Sequence, residues 1–512
     1  MLRDDGPIEK DTGYPNRSKK LSVFTGIILI SSSFLIYLPV IHHYFVSDDF
    51  KVLYRVCREN TIFIKGFFRP LSDITIFLNY QWNGLDPTLF NITNVLIHGI
   101  NSYLIYLICL YPRLSFSREH NVQFATISAA VFLTYPFHNE AVVWLLGRGA
   151  SLACLFSLLS ILSFFRIKNR NLNIFAVCCF YFISIAAFES TIFFPIIFIL
   201  LLLLKKESIR YSFFYVCGLT AMLALNLLLR YLISGSIMGS YGKDFFQPQM
   251  STYLMNIAKV SGRLILPPTQ NAFLITGIFI GLIAMFVYFL FRYTNKNRNP
   301  KISRYLLIIT GMLAISCIVP VATGVSTQTS ETDRILYFPS VFISMLAGFF
   351  IIYVLKNKYY KVIFLMILFS FNFFFLEKNN MNWNKASMVT KSVVATVQSE
   401  MLNDKKTGKI FFVNIPTEIS GAYSFRNGFP EALKLYNADS TRFIIINLLT
   451  RQDQEKITVS KTIENLSIDL QSGVVVKSDS GIRKIYDHGV YQCIVGPADK
   501  IYYWDGEFMK SL

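Results

Sequence analysis

Residues 19–50 read KKLSVFTGIILISSSFLIYLPVIHHYFVSDDF. Two lysines precede an uncharged, mainly apolar run, Leu21–Ile41, and an acid pair, Asp48–Asp49, follows shortly afterwards. A helix needs roughly 20 mainly apolar residues to cross the hydrocarbon core of a bilayer. The run is long for the core of a secretory signal and lacks an A-x-A cleavage site, so it reads as a retained first span. Basic residues favour the cytoplasmic side, which puts Lys19 and Lys20 inside and Asp48–Asp49 outside.

Working outward from this stretch, the same pattern recurs. Further candidate spans are Phe90–Tyr111, Val122–Tyr135, Ser151–Phe165, Ile174–Phe188, Thr191–Leu204, Tyr211–Leu232, Ala272–Arg292, Tyr305–Ala322, Ile335–Leu355 and Val362–Leu376. The third, fourth and sixth runs are short, so their helix ends are expected to lie further out. The fold class expected is an α-helical polytopic membrane protein of about eleven spans with a small C-terminal α/β soluble domain. Composition agrees: 53% of the 512 residues are hydrophobic and 16% are charged, where a soluble domain carries about a quarter. The mean hydropathy is +0.45. The formal net charge of +18 sits in short clusters between apolar runs. No nucleic-acid motif accompanies it, so a nucleic-acid partner is not expected. The eight cysteines have neither CxxC nor metal-ligand spacing and fall mostly inside apolar runs, so they read as small buried residues.

The basic clusters are the N-terminal residues, Arg113–Arg118, Arg166–Arg170, Lys205–Arg210, Arg292–Arg304 and Lys356–Lys361. Eleven spans put all of them on one side, which sets the N-terminus in the cytoplasm and the C-terminal domain outside. One helix more or fewer would split them. The division expected is a tail at 1–20, a membrane domain at 21–376, a helical connector at 377–408 and an extracytoplasmic α/β domain at 409–512. Lys409–Ile415, Arg442–Leu449 and Gly473–Lys477 have strand composition, and Phe429–Tyr436 reads as a short helix. Ser234–Gln270 includes a candidate partly embedded helix near Leu254–Leu266.

The outward loops hold the chemistry. Asp48–Asp49 reads either as a solvated pair or as a general base poised by a neighbouring like charge. Arg69, Arg148 and Arg334 lie outside, against the topological bias. Each reads as the partner of a local acid or as a ligand for a phosphate, whose oxygens a guanidinium matches bidentately. Lys259 and Arg263, four apart on one possible helix, are weaker candidates for that job. His138 and Glu140 read as a hydrogen-bonding cluster, as acceptor-binding groups or as part of a metal site. A stable site needs three or four ligands, so H-x-E alone is a weak signal for a divalent metal. His98 reads more readily as a packing residue. Nucleotide-binding glycine motifs, Walker A, HExxH and Gly-x-Ser-x-Gly are absent from the sequence.

In order, the distinctive stretches are Val46-Ser47-Asp48-Asp49-Phe50, Phe68-Arg69-Pro70-Leu71, Asn94-Val95-Leu96-Ile97-His98, the block Tyr135-Pro136-Phe137-His138-Asn139-Glu140-Ala141-Val142-Val143-Trp144 with Gly147-Arg148, and Arg334-Ile335-Leu336-Tyr337-Phe338-Pro339-Ser340. Over roughly residues 45–340 this order resembles the GT-C class of polytopic glycosyltransferases. It is most similar to the protein O-mannosyltransferase-like group, which includes transmembrane and tetratricopeptide-repeat mannosyltransferases and bacterial relatives. The group usually has His-Pro-x-His where this chain has Tyr135-Pro136-Phe137-His138, and no tetratricopeptide pattern follows the spans. The resemblance implies inverting transfer of a sugar from a polyprenyl-phosphate donor to an extracytoplasmic acceptor; the richness in Phe, Ile, Lys and Asn and the absence of repeats point to a bacterial inner membrane. Asp48 or Asp49 would be the base, and the sequence does not separate them. The basic residues would bind the donor phosphate, and His138, Glu140, His98 and Trp144 would shape the acceptor cavity. Some members of the group are metal-independent and others use a divalent ion, so a divalent metal stays open and no other cofactor is assigned. A transporter or flippase for lipid-linked glycans, or a non-catalytic membrane scaffold, is the alternative.

Overall fold

Every one of the eleven apolar runs forms a helix, and the ends follow from local chemistry. In the computed structural model the residues described are 16–62, 67–111, 118–237, 249–294, 300–402, 408–446, 457–461, 465–470, 490–494, 498–504 and 509–511. The first helix is Asn16–Ile36, and the second, Pro87–Cys109, opens on a proline with the Asp86 carboxylate accepting from Thr88 N at 2.9 Å. The fourth run extends at both ends as expected, to Arg148–Arg166, while the third, Arg118–Leu133, starts earlier than expected but stops short of Tyr135. The sixth stays short, Phe194–Lys205, because Lys206 turns left-handed and stops it. Among the described residues, seven helices are long and apolar enough to cross a membrane, and three shorter apolar ones accompany them. The chain is an integral membrane protein.

Hydroxyl groups join the helices where lipid-like side chains supply little specific attraction. Ser33 donates to Val95 O, Ser102 to Ala129 O and Ser160 to Val177 O, all at 2.8–3.0 Å. Among the described residues, three of the basic loops meet at one end of the bundle. Glu207 meets Arg170 at 3.3 Å and Lys205 at 3.4 Å, Lys205 donates to Phe164 O, and Arg304 donates to Leu203 O. Residues 113–117 of the second basic cluster and the candidate strand Gly473–Lys477 lie outside the described residues.

The last span and the connector are one helix, Lys358–Leu402, 45 residues long. No glycine or proline interrupts it, so nothing ends the helix where the composition changes. At 1.5 Å per residue it spans about 68 Å, roughly twice a bilayer core. Its far half buries Val389, Val393 and Val397 against the C-terminal domain. That domain holds parallel strands Ile410–Val413, Phe443–Ile446 and Lys500–Trp504, with Met509–Ser511 antiparallel at the edge. The helix Phe429–Leu435 lies in the crossover between the first two. A second sheet pairs Ile457–Lys461, Asn465–Leu470 and Val490–Ile494 in antiparallel fashion.

Candidate active site

The acid pair sits on a tight turn. Ser47 takes a positive φ of 49°, and Asp49 opens a short helix, Asp49–Leu53. The two carboxylates face different surroundings. Asp49 is buried and accepts from Val46 N at 3.0 Å and from Leu146 N at 3.4 Å. Burial, only partly offset by those two amides, pushes its carboxyl well above the ordinary range. Asp48 keeps 30% of its side chain exposed, with Lys51 at 3.0 Å and the Asn427 amide of the C-terminal domain at 3.4 Å. Asp49 therefore ties the loop after the first span to the loop that holds Leu146, and Asp48 is the more exposed of the two acids.

Gly147 explains how the second loop closes up against itself. A Cβ there would lie 1.8 Å from the Glu140 carbonyl oxygen, so only glycine fits. Arg148 follows and is completely buried. Its Nε donates to Asn94 Oδ1 at 2.5 Å, Nη1 to Asn79 Oδ1 at 2.7 Å, and Nη2 to Phe90 O at 2.8 Å. That corrects the expectation of a phosphate ligand, because the guanidinium is fully engaged in fixing helix to helix. Arg263 is corrected likewise. It is buried, and its Nη2 donates to both Asp333 carboxylate oxygens, at 2.6 and 2.5 Å, while Nη1 donates to Leu266 O. Lys259, one turn earlier on the helix Met250–Arg263, is half-buried and outside the ion pairs of the described residues.

His98 and His138 both bond to neighbouring helices. His98 Nε2 faces the Leu133 carbonyl at 3.1 Å, which only accepts, so Nε2 carries the proton. Nδ1 then accepts from the Tyr337 hydroxyl at 2.8 Å, which in turn accepts from Asn101 at 3.1 Å. His138 is buried with Nε2 at 2.7 Å from Ser340 Oγ. Tyr135, where the group usually has histidine, donates to Leu264 O at 2.9 Å. Glu140 is buried and ion-paired to Arg334. It also accepts from Arg334 N at 2.7 Å and from the Tyr423 hydroxyl at 3.0 Å. Trp144 lies under the Arg334 guanidinium, 5.0 Å from its ring centre, and meets Tyr423 edge-on. No group of three or more His, Cys, Asp or Glu among the described residues is arranged to hold a metal. His138, Glu140 and the acid pair do not form one.

Arg69 leads to residues that the sequence reading passed over. It pairs with Glu189 at 3.0 Å, and Glu189 also takes Arg230 at 2.5 Å. Arg230 reaches back to Phe68 O at 3.3 Å. Burial opposes ionisation of Glu189, but the two guanidinium groups outweigh it and hold the carboxyl down at about 2. The available signal was Asn226 and Arg230, four residues apart inside an otherwise apolar run, since polar groups at such positions are costly. Together these bonds gather the loops that carry the motifs at the end of the bundle opposite the Arg170–Glu207 cluster.

No protein-family model matches the chain. Among solved structures, a crystal structure of ArnT from Cupriavidus metallidurans bound to undecaprenyl phosphate aligns over 84% of this chain and 90% of its own, with a TM-score of 0.44 and 10% identity. A likeness that distant assigns nothing to the chain. Curated relatives are nearer in sequence. Human protein O-mannosyl-transferase TMTC1 is 33% identical over 106 residues, 21% of this chain and 11% of its own length. The Drosophila melanogaster protein Tmtc1 is 33% identical over 109 residues, 21% of this chain and 12% of its own. The match thus spans about a tenth of those longer proteins, and over about a fifth of its length the chain is similar to protein O-mannosyl-transferases.

Proposed function

We propose that the chain is a membrane glycosyltransferase that moves a sugar from a polyprenyl-phosphate donor to an extracytoplasmic acceptor with inversion. The observation that carries the reading is the division of labour in the acid pair: one carboxylate anchored and buried, its neighbour held half-exposed beside an amide and an ammonium group. Asp48 accepts the proton of the acceptor hydroxyl as that oxygen attacks the sugar C1. The bond from C1 to the phosphate oxygen breaks with its electron pair, and polyprenyl phosphate leaves. Arg69, Arg334 and Lys259 remain partly exposed and stabilise the charge that builds on the departing phosphate. Glu140 and Trp144 hold Arg334 in place, and His98 and His138 hold the helices that carry the loops. The N-terminus lies in the cytoplasm, and the acid pair and C-terminal domain lie outside.

The test is consumption of radiolabelled polyprenyl-phosphate mannose by the purified protein in proteoliposomes. Loss of sugar from the lipid, dependent on an added acceptor extract, supports transfer. Movement of intact lipid-linked sugar between leaflets would mean a transporter, and no change at all would mean a scaffold.

A further inference from the structure

The helix Pro70–Asn83, in the loop after the first span, is amphipathic in the sense opposite to a helix on a soluble protein. Its polar residues face the protein. Asp73 is buried and pairs with Arg55 at 2.9 Å, and Asn79 is buried and accepts from Arg148 at 2.7 Å. Its outer side is apolar. Ile74, Leu78 and Trp82, spaced four apart, are 40%, 44% and 76% exposed. Asp73 is the one charged residue of the helix, so no charge stands on the outer side. The helix Met250–Arg263 repeats the pattern at the same end of the bundle: Met250, Leu254 and Met255 are exposed, while Asn256 donates to Val321 O at 2.9 Å.

An apolar stripe left in water is unfavourable, so its surroundings matter. Here they are lipid. Gly84-Leu85-Asp86 alone separate the helix from the span Pro87–Cys109. Asn79 donates to Thr93 Oγ1 of that span at 3.0 Å, and Leu96, one turn further along, is itself exposed. The exposed apolar side of the span therefore starts one turn from the seat of the helix. With 14 residues the helix is about 21 Å long, too short to cross a bilayer core of about 30 Å. It runs along the membrane instead of through it, and tryptophan is the residue that favours the boundary between water and lipid.

We infer that Pro70–Asn83 is a membrane-docking surface: it lies flat between headgroups and acyl chains of the leaflet on the acid-pair side, with Ile74, Leu78 and Trp82 in lipid. Arg69, the residue before the helix, is thereby held at headgroup level. The inference concerns a lipid surface and stands whether or not the chain transfers a sugar.

The experiment uses the full chain in phosphatidylcholine nanodiscs whose acyl chains are brominated either near the headgroup or near the chain end. Trp144 and Trp383 are buried, and the difference in emission between wild type and Trp82→Phe, a mild change at an exposed site, isolates Trp82. That difference is expected to fall about twofold or more with shallow bromine and to fall less with deep bromine. A nitroxide on Leu78→Cys, in a cysteine-free background, is expected to collide several-fold more often with oxygen than with a water-soluble nickel complex. Unquenched Trp82 emission with nickel collisions dominant would overturn the inference in favour of a water-facing loop. Unquenched emission with neither reagent reaching the nitroxide would overturn it in favour of a second copy of the chain on this face. Stronger quenching by the deep bromine would overturn the flat seat in favour of an inserted helix.

Discussion

Arg148 shows how one side chain can hold three helices in register. Its fork reaches Asn94, Asn79 and the Phe90 carbonyl from a site closed to water. Arg148→Leu strands those acceptors and is expected to lower stability by about 3 kcal/mol, read as a fall in melting temperature in detergent. Arg148→Lys recovers little of it, because an ammonium group cannot reproduce the planar fork. The block containing Gly147-Arg148 was legible in the sequence, but its role was not. An outward arginine looks the same on paper whether it faces a phosphate or three amide and carbonyl oxygens. The acid pair posed the same difficulty. Asp48 and Asp49 are adjacent, and what separates them is an amide at Leu146, 97 residues away.

The Glu189–Thr191 turn joins two spans in three residues and gathers Arg69 and Arg230 onto one carboxylate. Glu189→Gln is expected to lower the melting temperature at pH 7. Because the folded-state value is depressed from 4.5 to about 2, the stabilisation is fully present above pH 4.5 and is lost as pH falls toward 2. The gap in melting temperature between wild type and variant therefore stays constant from pH 7 to pH 5 and narrows below. A gap that widened on acidification would contradict the cluster. At this scale the sequence was most informative. Length and apolar content located all eleven helices, since a bilayer demands both. The Glu189 cluster escaped because a tight hairpin with one acid gives no sign of which cations reach it.

At the scale of the whole molecule, the C-terminal domain is docked on the loops that carry the acid pair, Glu140 and Glu331. Tyr423 binds Glu140, Arg426 pairs with Glu331 at 2.6 Å, and Phe425 stacks on Phe50 at 5.5 Å. Gly428, at φ +86°, passes so close to the Ser47 carbonyl that a Cβ would lie 2.3 Å from its oxygen. Gly428→Val is expected to loosen this docking and reduce transfer while the helices remain folded, as read by circular dichroism. Composition marked the domain but not its seat, because docking depends on single residues far apart in sequence. The topology is checked with an impermeant maleimide on intact cells in a cysteine-free background: Ser440→Cys labels and Ser208→Cys does not. We assign Asp48 as the base of a sugar transfer for which Asp49 is scaffold. The assignment is tested most directly by transfer from polyprenyl-phosphate mannose with purified Asp48→Asn and Asp49→Asn. Asp48→Asn is predicted to melt like wild type and lose about 10²–10⁴-fold in rate, while Asp49→Asn melts lower and keeps measurable transfer. Wild-type rates from a well-folded Asp48→Asn protein would contradict it.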